Sequence, residues 1–385
     1  MNTKKITDEY IINTYGRFPI CLVKGEKSIA FDENGKRYID LTSGIGVNAF
    51  GFCDKLWVKA VTGQAERLQH TSNLFYTEPA AHLSRLLCEK SGMSKAFFSN
   101  SGAEANECAI KAARRFSLQK NGEGFYNIIT LKNSFHGRTI TTLSATGQTE
   151  YHKDFSPFTK GFLYADTDNT DNIKYLVKNN KCAAIMIEII QGEGGVLPLS
   201  YELIETIKEL SASFDIPLII DEVQTGNGRT GKYFSYMHYN LNPDIVTTAK
   251  GLGGGLPIGA ALFSEKFENS LTAGTHGSTY GANPITCAGA ASIVERIDDA
   301  LLLEITAKGE YISSAVKKFS KVKSVSGKGL MLGLEIEGDV KSAVSKCIEN
   351  GLLVLTAKNK IRLLPALNIS YEEIDEALSI LTSSI

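Results

Sequence analysis

The chain has 385 residues and a formal net charge of −1, with 43% hydrophobic and 22% charged residues. This composition is typical of a globular protein, and it excludes the strongly basic surface with which proteins bind nucleic acid or anionic membranes. The longest apolar runs are too short to span a bilayer and the N-terminus lacks a hydrophobic secretion signal, so we predict a cytoplasmic protein without a membrane partner.

The first element in the chain is an N-terminal segment, residues 1–48, which is predicted to pack on the rest of the protein. Within it, Asn34 and Gly35 provide a hairpin turn signal inside the stretch 28–40. We therefore expect two short antiparallel strands on either side of this dipeptide.

Residues 49–283 alternate helical periods with short β-rich runs, and they are predicted to form a large domain. A helix is predicted over 79–92, where Pro79 stands near the first turn and Gly92 ends the pattern. Near-continuous apolar runs, typical of strands covered on both faces, occur at 126–131, 182–189, 216–221 and 244–249. Because a helical pattern at 200–214 separates two of them, the predicted fold is α/β, with a mostly parallel central sheet and helices on both faces.

The last part of the chain, residues 284–385, is predicted to be a smaller α+β domain. It begins with a long helical stretch, 286–319, and ends with an amphipathic helix, 371–385. Short strands are expected between these helices, near 329–336 and 361–367.

The cysteines and histidines show no ligand spacing. The seven cysteines are dispersed without a CxxC pair, and the six histidines include no HxxxH or HExxH spacing. We therefore predict reduced thiols, no disulfide framework and no metal site.

Most candidate functional residues follow predicted strands, where open α/β sheets bind their ligands. One candidate opens a helix instead: Ser101 precedes Gly102 and Ala103, which leave the first helical amides uncovered. Such amides, with the positive end of the helix dipole, form an anion site. The alternative is a plain capping box, since Glu104 stands three residues after Ser101.

Two candidates end apolar strands. Asp221 would be partly desolvated there and needs a cationic or proton-donating partner, with a helix cap or a structural ion pair as the alternative. Lys250 precedes a glycine cluster, and an apolar pocket would make its amine a nucleophile. A phosphate-binding lysine is disfavoured because the glycines follow Lys250 and no GK[ST] occurs, and a surface lysine is disfavoured by the apolar strand before it.

Four further candidates lie in loops after strands. Arg138 is suited to bidentate recognition of a carboxylate, and Phe135 offers a flat apolar face, with simple core packing as its alternative. Glu188 and Glu193 follow another strand in the glycine-rich run 188–195, where a solvated acidic loop is the alternative.

These residue types together fit one chemistry. Pyridoxal 5'-phosphate requires a lysine that forms an imine, a carboxylate that holds a pyridinium, an aromatic side chain that stacks on a ring, and a helix N-terminus for a phosphate. We therefore predict this cofactor and a small-molecule substrate.

The sequence closely resembles the class III, or ω-amino-acid, aminotransferases, which are fold-type-I pyridoxal-phosphate enzymes. The most specific part is 219-IIDEVQTGNGRTGKYFSY-236 followed by 244-DIVTTAKGLGGGLPIGA-260, in which the aspartate and the lysine stand 29 positions apart. Further matching segments are 70–79, 99–107, 134–139, 191–195 and 276–284. The likeness extends from 14–19 to 361–367.

The resemblance implies roles for residues at matching positions. Lys250 would carry the cofactor as an internal aldimine and then act as the catalytic base. Asp221 would pair with the pyridine nitrogen, Gln224 would lie near the ring hydroxyl, and Phe135 would stack on the ring.

The resemblance also assigns the phosphate site and the partner. Ser101, Gly102 and Ala103 would bind the phosphate of their own subunit, which favours the anion site over the capping box. Thr279 would reach the phosphate bound by a second subunit. This arrangement implies a homodimer with shared active sites.

The substrate-binding residues follow from the same likeness. Arg138 would hold the carboxylate common to both substrates, and Arg362 would bind the second carboxylate of glutamate. Glu193 would neutralise Arg362 when a substrate with one carboxylate enters, because a buried unpaired guanidinium is strongly unfavourable. Ser278 completes the implied substrate-binding set.

Within the family the segments are most similar to the N-acetylornithine aminotransferases, which implies ping-pong transfer of the terminal amino group of N-acetylornithine to 2-oxoglutarate, a step of arginine biosynthesis. Ornithine, 4-aminobutyrate, succinylornithine and N-succinyldiaminopimelate remain alternative donors. His136 and the retained Arg362 favour the acetylornithine group. Cys53, Asp54 and Lys55 replace the usual His-Pro near the substrate entrance. The run EIIQGE at 188–193 stands in place of the usual VEPIQGE and lacks its proline.

Three other functions are disfavoured. A nucleotide-binding module lacks its GK[ST] motif. A catalytically silent binding protein would not need Lys250, Asp221, Arg138 and Arg362 together. A mutase acting on an aminoaldehyde would leave Arg362 without a purpose.

Overall fold

The computed structural model describes residues 3–385. Its centre is a seven-stranded sheet, and the strands are, in spatial order, Lys95–Ser99, Gly259–Phe263, Ile245–Thr248, Leu218–Asp221, Cys182–Ile187, Asn127–Leu131 and Phe162–Ala165. Only Gly259–Phe263 runs antiparallel to its neighbours, and the other adjacent pairs are parallel. The predicted α/β fold with a mostly parallel sheet is confirmed.

The α-helices surround this sheet and a smaller one. Apart from the four-residue Ser43–Gly46, they span Thr3–Tyr10, Lys55–Ala65, Glu78–Ser91, Gly102–Asn121, Ile140–Ala145, Thr170–Asn179, Tyr201–Phe214, Pro284–Val294, Asp299–Val316, Val340–Glu349 and Tyr371–Ser384. None of the helices within residues 3–385 is both long and apolar enough to cross a membrane.

Two hydrophobic clusters explain why the central strands are apolar along their whole length. Ile219 and Ile245 belong to a cluster that includes the helix Gly102–Asn121. Their neighbours Ile220 and Val246 belong to the cluster that includes the helix Tyr201–Phe214. Successive side chains of a strand point to opposite faces, so each face of the sheet buries its own set.

The parallel register brings several strand ends to one edge of the sheet. Ile220 pairs with Ile187, so Glu188, the next residue after Ile187, lies beside Asp221. Asp221 in turn pairs with Thr247, three residues before Lys250. Parallel strands have their carboxyl ends at the same edge, and this edge is where we expect a ligand.

The C-terminal part contains a four-stranded antiparallel sheet, with the strands in the order Val322–Lys328, Met331–Ile336, Lys360–Leu363 and Leu355–Ala357. The predicted long helix 286–319 is wrong, because two helices occur there, Pro284–Val294 and Asp299–Val316. The second helix has its own N-cap, Asp298, whose side chain accepts a hydrogen bond from Leu301 N. This local hydrogen bond favours a new helix start over a continuous one.

The N-terminal hairpin is confirmed, and it joins the C-terminal part of the chain. Strands Ile29–Asp32 and Arg37–Asp40 are antiparallel, and Gly35 has a φ of 79° in the turn between them. The remaining strands of this sheet are Leu22–Glu26 and Leu352–Leu353, and a separate small pair is formed by Ile190–Gln191 and Leu197–Pro198. The domain bounds at 48 and 283 stay a prediction.

Gly259, at the start of a central strand, lies very close to the backbone of Ser101, which precedes the helix Gly102–Asn121. A Cβ at this position would lie 2.2 Å from the carbonyl oxygen of Ser101. Gly259→Ala is therefore expected to lower the free energy of unfolding by about 2 kcal/mol, because backbone atoms cannot move aside as a flexible side chain does. The measurement is urea denaturation.

Gly63→Ala is the matched control. Gly63 lies inside the helix Lys55–Ala65, and its Cβ would meet no atom within 4 Å. Alanine is therefore expected to stabilise the helix there by about 0.5–1 kcal/mol. A Gly259→Ala protein as stable as the unmodified protein would contradict the close approach.

Candidate active site

A cavity of about 430 Å³ lies at the carboxyl edge of the central sheet. The helix Gly102–Asn121 begins at its wall, and the loops after four central strands form much of the lining. Nine of the predicted site residues line this cavity: Ser101, Gly102, Ala103, Phe135, Arg138, Glu193, Asp221, Gln224 and Lys250. Arg362 contacts two of these nine residues from the C-terminal sheet.

Lys250 occupies a strained backbone position at the end of a central strand. Its φ is 45°, a left-handed conformation that is uncommon for a residue other than glycine. Burial lowers the pKa of the Lys250 amine and the charge of Arg362 lowers it further, while the charge of Glu193 acts in the opposite direction without cancelling the shift. The neutral, nucleophilic form of the amine is therefore easier to reach than in water.

Asp221 is held by hydrogen bonds to both of its carboxylate oxygens. Oδ1 accepts from Val223 N at 3.0 Å. Oδ2 accepts from Asn106 Nδ2 at 2.8 Å and lies 2.8 Å from His136 Nδ1. The side chain is only 3% exposed, and these contacts compensate for its lost hydration.

Asn106 is a site residue that sequence reasoning missed. Besides Asp221, its Nδ2 donates to the carbonyl oxygen of His136 at 2.7 Å, and its Oδ1 accepts from Thr247 Oγ1 at 2.7 Å. Asn106 thus links a helix, a loop and a strand around the Asp221 carboxylate. The available signal in the sequence was a polar residue at helical spacing with the apolar Ala109 and Ala113, since polar side chains are rare on an apolar helix face.

Glu188 and His136 form a buried charged group with Asp221. Glu188 accepts hydrogen bonds from Phe135 N at 2.9 Å and from Gly192 N at 3.3 Å. Burial raises the pKa of Glu188 to about 7, although the charge of His136 acts in the opposite direction. Burial alone would lower the pKa of His136, but Asp221 and Glu188 outweigh it, so the net shift is upward. The His136 imidazolium balances the charge of the Asp221 carboxylate, whereas burial favours the protonated, neutral form of Glu188.

The start of the helix Gly102–Asn121 offers donors for an anion. The first intrahelical hydrogen bond runs from Ala105 N to Ser101 O at 3.0 Å, so the amides of Gly102 and Ala103 precede it. Ser101 Oγ accepts from Glu104 N at 3.2 Å. Helix capping by Ser101 and anion binding therefore use different amides. The predicted capping box is incomplete, because Glu104 Oε2 accepts from Asn100 N and not from Ser101 N.

A glycine is required at the start of this helix. The Cβ of any other residue at position 102 would lie 2.6 Å from Val223 Cγ1. Val223 N also donates a hydrogen bond to Asp221. The amides that offer an anion site therefore pack against the loop that holds the buried carboxylate.

The two predicted carboxylate-binding arginines differ in their partners. The Arg138 guanidinium lies over the rings of Tyr151 and Phe135, 4.2 and 5.3 Å from the centroids, and no carboxylate of residues 3–385 pairs with it. Arg362 is 3% exposed and donates from its NH1 nitrogen to Glu193 Oε1 at 2.6 Å. Its Nε is buried without a hydrogen-bond partner in the described part of the chain.

Gln224 and Glu193 complete the pairing around Arg362. Gln224 Oε1 accepts from Arg362 at 3.3 Å, and Gln224 Nε2 donates to Glu193 Oε1 at 3.3 Å. Burial by itself would raise the pKa of Glu193, but the charge and hydrogen bond of Arg362 lower it below its usual value. Glu193 is therefore held as a carboxylate against the guanidinium.

Two predicted site residues lie elsewhere. Ser278 and Thr279 line a second cavity of about 300 Å³. Asn100 borders both cavities, and its Nδ2 donates to Ser278 Oγ at 3.1 Å. Within residues 3–385, Thr279 therefore belongs to a different pocket from Lys250.

The residues of the first cavity fit pyridoxal phosphate. The amides of Gly102 and Ala103 suit its phosphate, and the buried Asp221 carboxylate suits a protonated ring nitrogen. Phe135 supplies an aromatic face in the lining, and Lys250 supplies the amine that holds the cofactor. No other described lysine lines this cavity.

Glu188→Gln tests the buried charged group through pH. A pKa raised from 4.5 to about 7 means that the folded protein binds this proton more tightly than the unfolded chain, so this contribution to stability is present below pH 4.5 and is lost as the pH rises towards 7. A glutamine side chain in its place would not titrate. We expect the stability difference between the unmodified protein and the variant to fall by about 2 kcal/mol across this interval.

The measurement is urea denaturation at several pH values. The interval from pH 4.5 to 6.5 isolates Glu188, because His136 has a pKa raised above 6.5 and loses its proton at higher pH. Parallel stability curves of the two proteins in this interval would contradict a buried, protonated Glu188.

Comparison with known proteins assigns the chain to a family. The profile of the family described as Aminotransferase class-III matches residues 10–385. An acetylornithine aminotransferase of Haemophilus ducreyi is 47% identical over 98% of this chain and 97% of its own length. A succinylornithine transaminase of Salmonella paratyphi A is 39% identical over 98% of this chain and 94% of its own length.

A solved structure gives the same result. The ornithine aminotransferase from Toxoplasma gondii ME49 has a TM-score of 0.94 at 31% identity, over 99% of this chain and 93% of that one. The match covers the central sheet, the cavity and the C-terminal sheet. The chain therefore belongs to the class III aminotransferases, which are pyridoxal-phosphate enzymes.

Proposed function

We propose that this enzyme transfers the terminal amino group of N-acetylornithine to 2-oxoglutarate, which yields N-acetylglutamate 5-semialdehyde and glutamate, in arginine biosynthesis. The observation that carries the proposal is the contrast between two arginines at one cavity. Arg138 has no carboxylate partner among residues 3–385, whereas Arg362 is paired with Glu193. One subsite for a carboxylate is open, and the second opens only when Glu193 leaves.

Lys250 and Asp221 act on the reacting groups. When bound, pyridoxal phosphate stores the amino group between the two half-reactions and withdraws electrons from the carbon that carries it. The Asp221 carboxylate keeps a proton on the ring nitrogen, and its hydrogen bonds from Asn106 and Val223 hold it in place. The Lys250 amine, with its lowered pKa, moves the proton at the carbon that carries nitrogen.

Glu193 allows one site to accept two kinds of substrate. N-acetylornithine has one carboxylate, which binds Arg138, and Arg362 stays neutralised by Glu193. Glutamate and 2-oxoglutarate have a second carboxylate, which replaces Glu193 on Arg362. Because Arg362 is 3% exposed, it needs an anionic partner in both half-reactions.

The acyl group of the donor is supported by the relatives. The relative named acetylornithine aminotransferase is 47% identical, the succinylornithine transaminase is 39% identical and the ornithine aminotransferase is 31% identical. Seven relatives that are 38–47% identical share the name acetylornithine aminotransferase, and this recurrence favours an acetylated donor.

We also propose a homodimer. Thr279 lies in the second cavity of its own chain, so a role at a phosphate requires another subunit. Leu74, Phe75 and Tyr76 are 89%, 69% and 107% exposed, and an apolar group of this size is typical of an interface. Their neighbour Asn73 donates to the carbonyl oxygens of Ser278 and Gly281, which joins both segments into one surface.

A cytoplasmic location agrees with the seven unpaired cysteines.

The donor is tested by the absorbance of the protein with pyridoxal phosphate bound. N-acetylornithine, added without a keto acid, is expected to remove the yellow absorbance, and 2-oxoglutarate is expected to restore it. Succinylornithine, ornithine and 4-aminobutyrate are compared at equal concentrations. A faster change with any of these three would replace N-acetylornithine as the donor.

Arg362→Ala tests the second carboxylate subsite. We expect the KM for 2-oxoglutarate to rise by at least about 30-fold, since truncating one member of a buried charge pair costs about 2 kcal/mol or more. The rate of the half-reaction with N-acetylornithine is expected to change much less. Single-turnover absorbance measurements separate the two half-reactions.

The matched control is Arg37→Ala. Arg37 also pairs with a glutamate, Glu376, but both side chains are exposed, so its removal is expected to leave both half-reactions unchanged. An Arg362→Ala enzyme that keeps its full activity with glutamate would contradict the assignment.

A further inference from the structure

Tyr151 contacts the open carboxylate-binding arginine. The centroid of its ring lies 4.2 Å from Arg138 Cζ, closer than the ring of Phe135 at 5.3 Å. We propose that Tyr151 is a positioning residue that holds the Arg138 guanidinium by its face and leaves the edge free for the substrate carboxylate. This inference rests on the proposed role of Arg138 as the subsite common to both substrates.

The stacking matters because Arg138 has few other restraints. It is exposed, and it forms no ion pair or hydrogen bond with any of residues 3–385. A free arginine side chain loses about 2 kcal/mol of rotamer entropy when a ligand orders it. A guanidinium that is already stacked on an aromatic face loses less, and its N–H donors point outward in its own plane.

Tyr151 is better suited to this task than Phe135. Phe135 lines the cofactor cavity, and its face is the one proposed for the cofactor ring. The rings of Tyr151 and Phe135 meet edge to face, with 5.6 Å between centroids and 74° between planes. Tyr151 is therefore in contact with Phe135 and offers its own face to Arg138.

The turn that carries Tyr151 is fixed to the loop that carries Arg138. Gln148 is 2% exposed, and its Nε2 donates to the carbonyl oxygens of Asn133 and Ser134 at 3.2 and 3.1 Å. On the other side of Tyr151, His152 Nε2 lies 2.9 Å from the carbonyl oxygen of Leu143. These bonds keep the ring in place when the site is empty.

The same turn also contacts the sheet that carries the other arginine. Glu150 forms an ion pair with Lys358, which precedes the strand Lys360–Leu363 and therefore Arg362. Lys358 also lies next to Gly195, two residues after Glu193. The turn of Tyr151 is thus linked to the sheet that carries Arg362 as well as to the loop that carries Arg138.

The expected consequence is an effect on substrate binding without an effect on the proton transfer. Tyr151 is absent from the lining of the cofactor cavity and contacts neither Lys250 nor Asp221, so we expect its removal to leave these two residues in place. Both half-reactions use Arg138, so N-acetylornithine and 2-oxoglutarate should lose affinity by the same factor.

The experiment compares Tyr151→Leu with Tyr151→Phe in the enzyme with cofactor bound. Leucine removes the aromatic face, whereas phenylalanine keeps it. For Tyr151→Leu we expect KM to rise about 3- to 30-fold for N-acetylornithine and for 2-oxoglutarate, the range of a cation–π contact, with kcat within about twofold. Tyr151→Phe should stay within about threefold in KM.

Equilibrium binding of glutarate, a dicarboxylate that cannot react, gives a second readout by calorimetry. Its Kd should rise by the same factor in Tyr151→Leu and remain near the unmodified value in Tyr151→Phe. If Tyr151→Leu fails to fold, Tyr151→Met takes its place, because methionine also lacks an aromatic face. A Phe variant as impaired as the Leu variant, or a change confined to kcat, would overturn the proposal.

Arg138→Leu separates the failure of this inference from the failure of the proposed function. If glutarate binds equally well to Arg138→Leu, the carboxylate subsite lies elsewhere and the proposed function loses its basis. If Arg138→Leu weakens glutarate binding while Tyr151→Leu does not, only the role of Tyr151 is wrong. Glutarate binding is independent of the identity of the amino donor.

Discussion

The site depends on one buried carboxylate, Asp221, at the end of a central strand. A carboxylate that is 3% exposed is stable only if protein groups replace its water. Its partners Asn106, His136 and Val223 come from a helix and two different loops. The need to provide hydrogen-bond partners for this carboxylate therefore determines how these elements meet. The same partners hold Asp221 in the fixed position that a bound pyridinium needs.

The backbone also packs closely around the cavity. Gly102 and Gly259 both stand where a Cβ would overlap a neighbouring chain segment. Lys250 adopts a left-handed φ of 45° at the end of its strand. Strain of this kind persists only where the surrounding structure opposes relaxation, and here it aims a lysine into the cavity.

Electrostatics divides the cavity into two parts. One part contains the buried group of His136, Glu188 and Asp221, in which a positive imidazole is paired with the Asp221 carboxylate and burial favours the protonated form of Glu188. The other contains Arg362 and Glu193, which neutralise each other until a competing carboxylate arrives. Lys250 lies between these groups, and both of them influence its pKa. The proposed exchange of substrates requires a change of partner only at Arg362, where a substrate carboxylate replaces Glu193.

The order of the central strands was only partly predictable. The apolar runs of four parallel strands are recognisable because both sheet faces cover them. Lys95–Ser99 and Gly259–Phe263 are ordinary short segments, and their place in the sheet arises from pairing with each other, which joins Ser99 to the distant Gly259. The strand Val322–Lys328 was not predicted, because it contains polar residues that are exposed to solvent and therefore lacks a continuous apolar run.

The sequence by itself determined the fold class and the chemical types at the site, because apolar strands, a helix start with small residues and a family motif are local patterns. Only the tertiary structure decided which side chains meet. Asn106 at Asp221, Tyr151 at Arg138 and Gln224 at Arg362 are pairs from different elements of the chain. Their contacts depend on strand register and on loop conformation, and no local pattern encodes either of them.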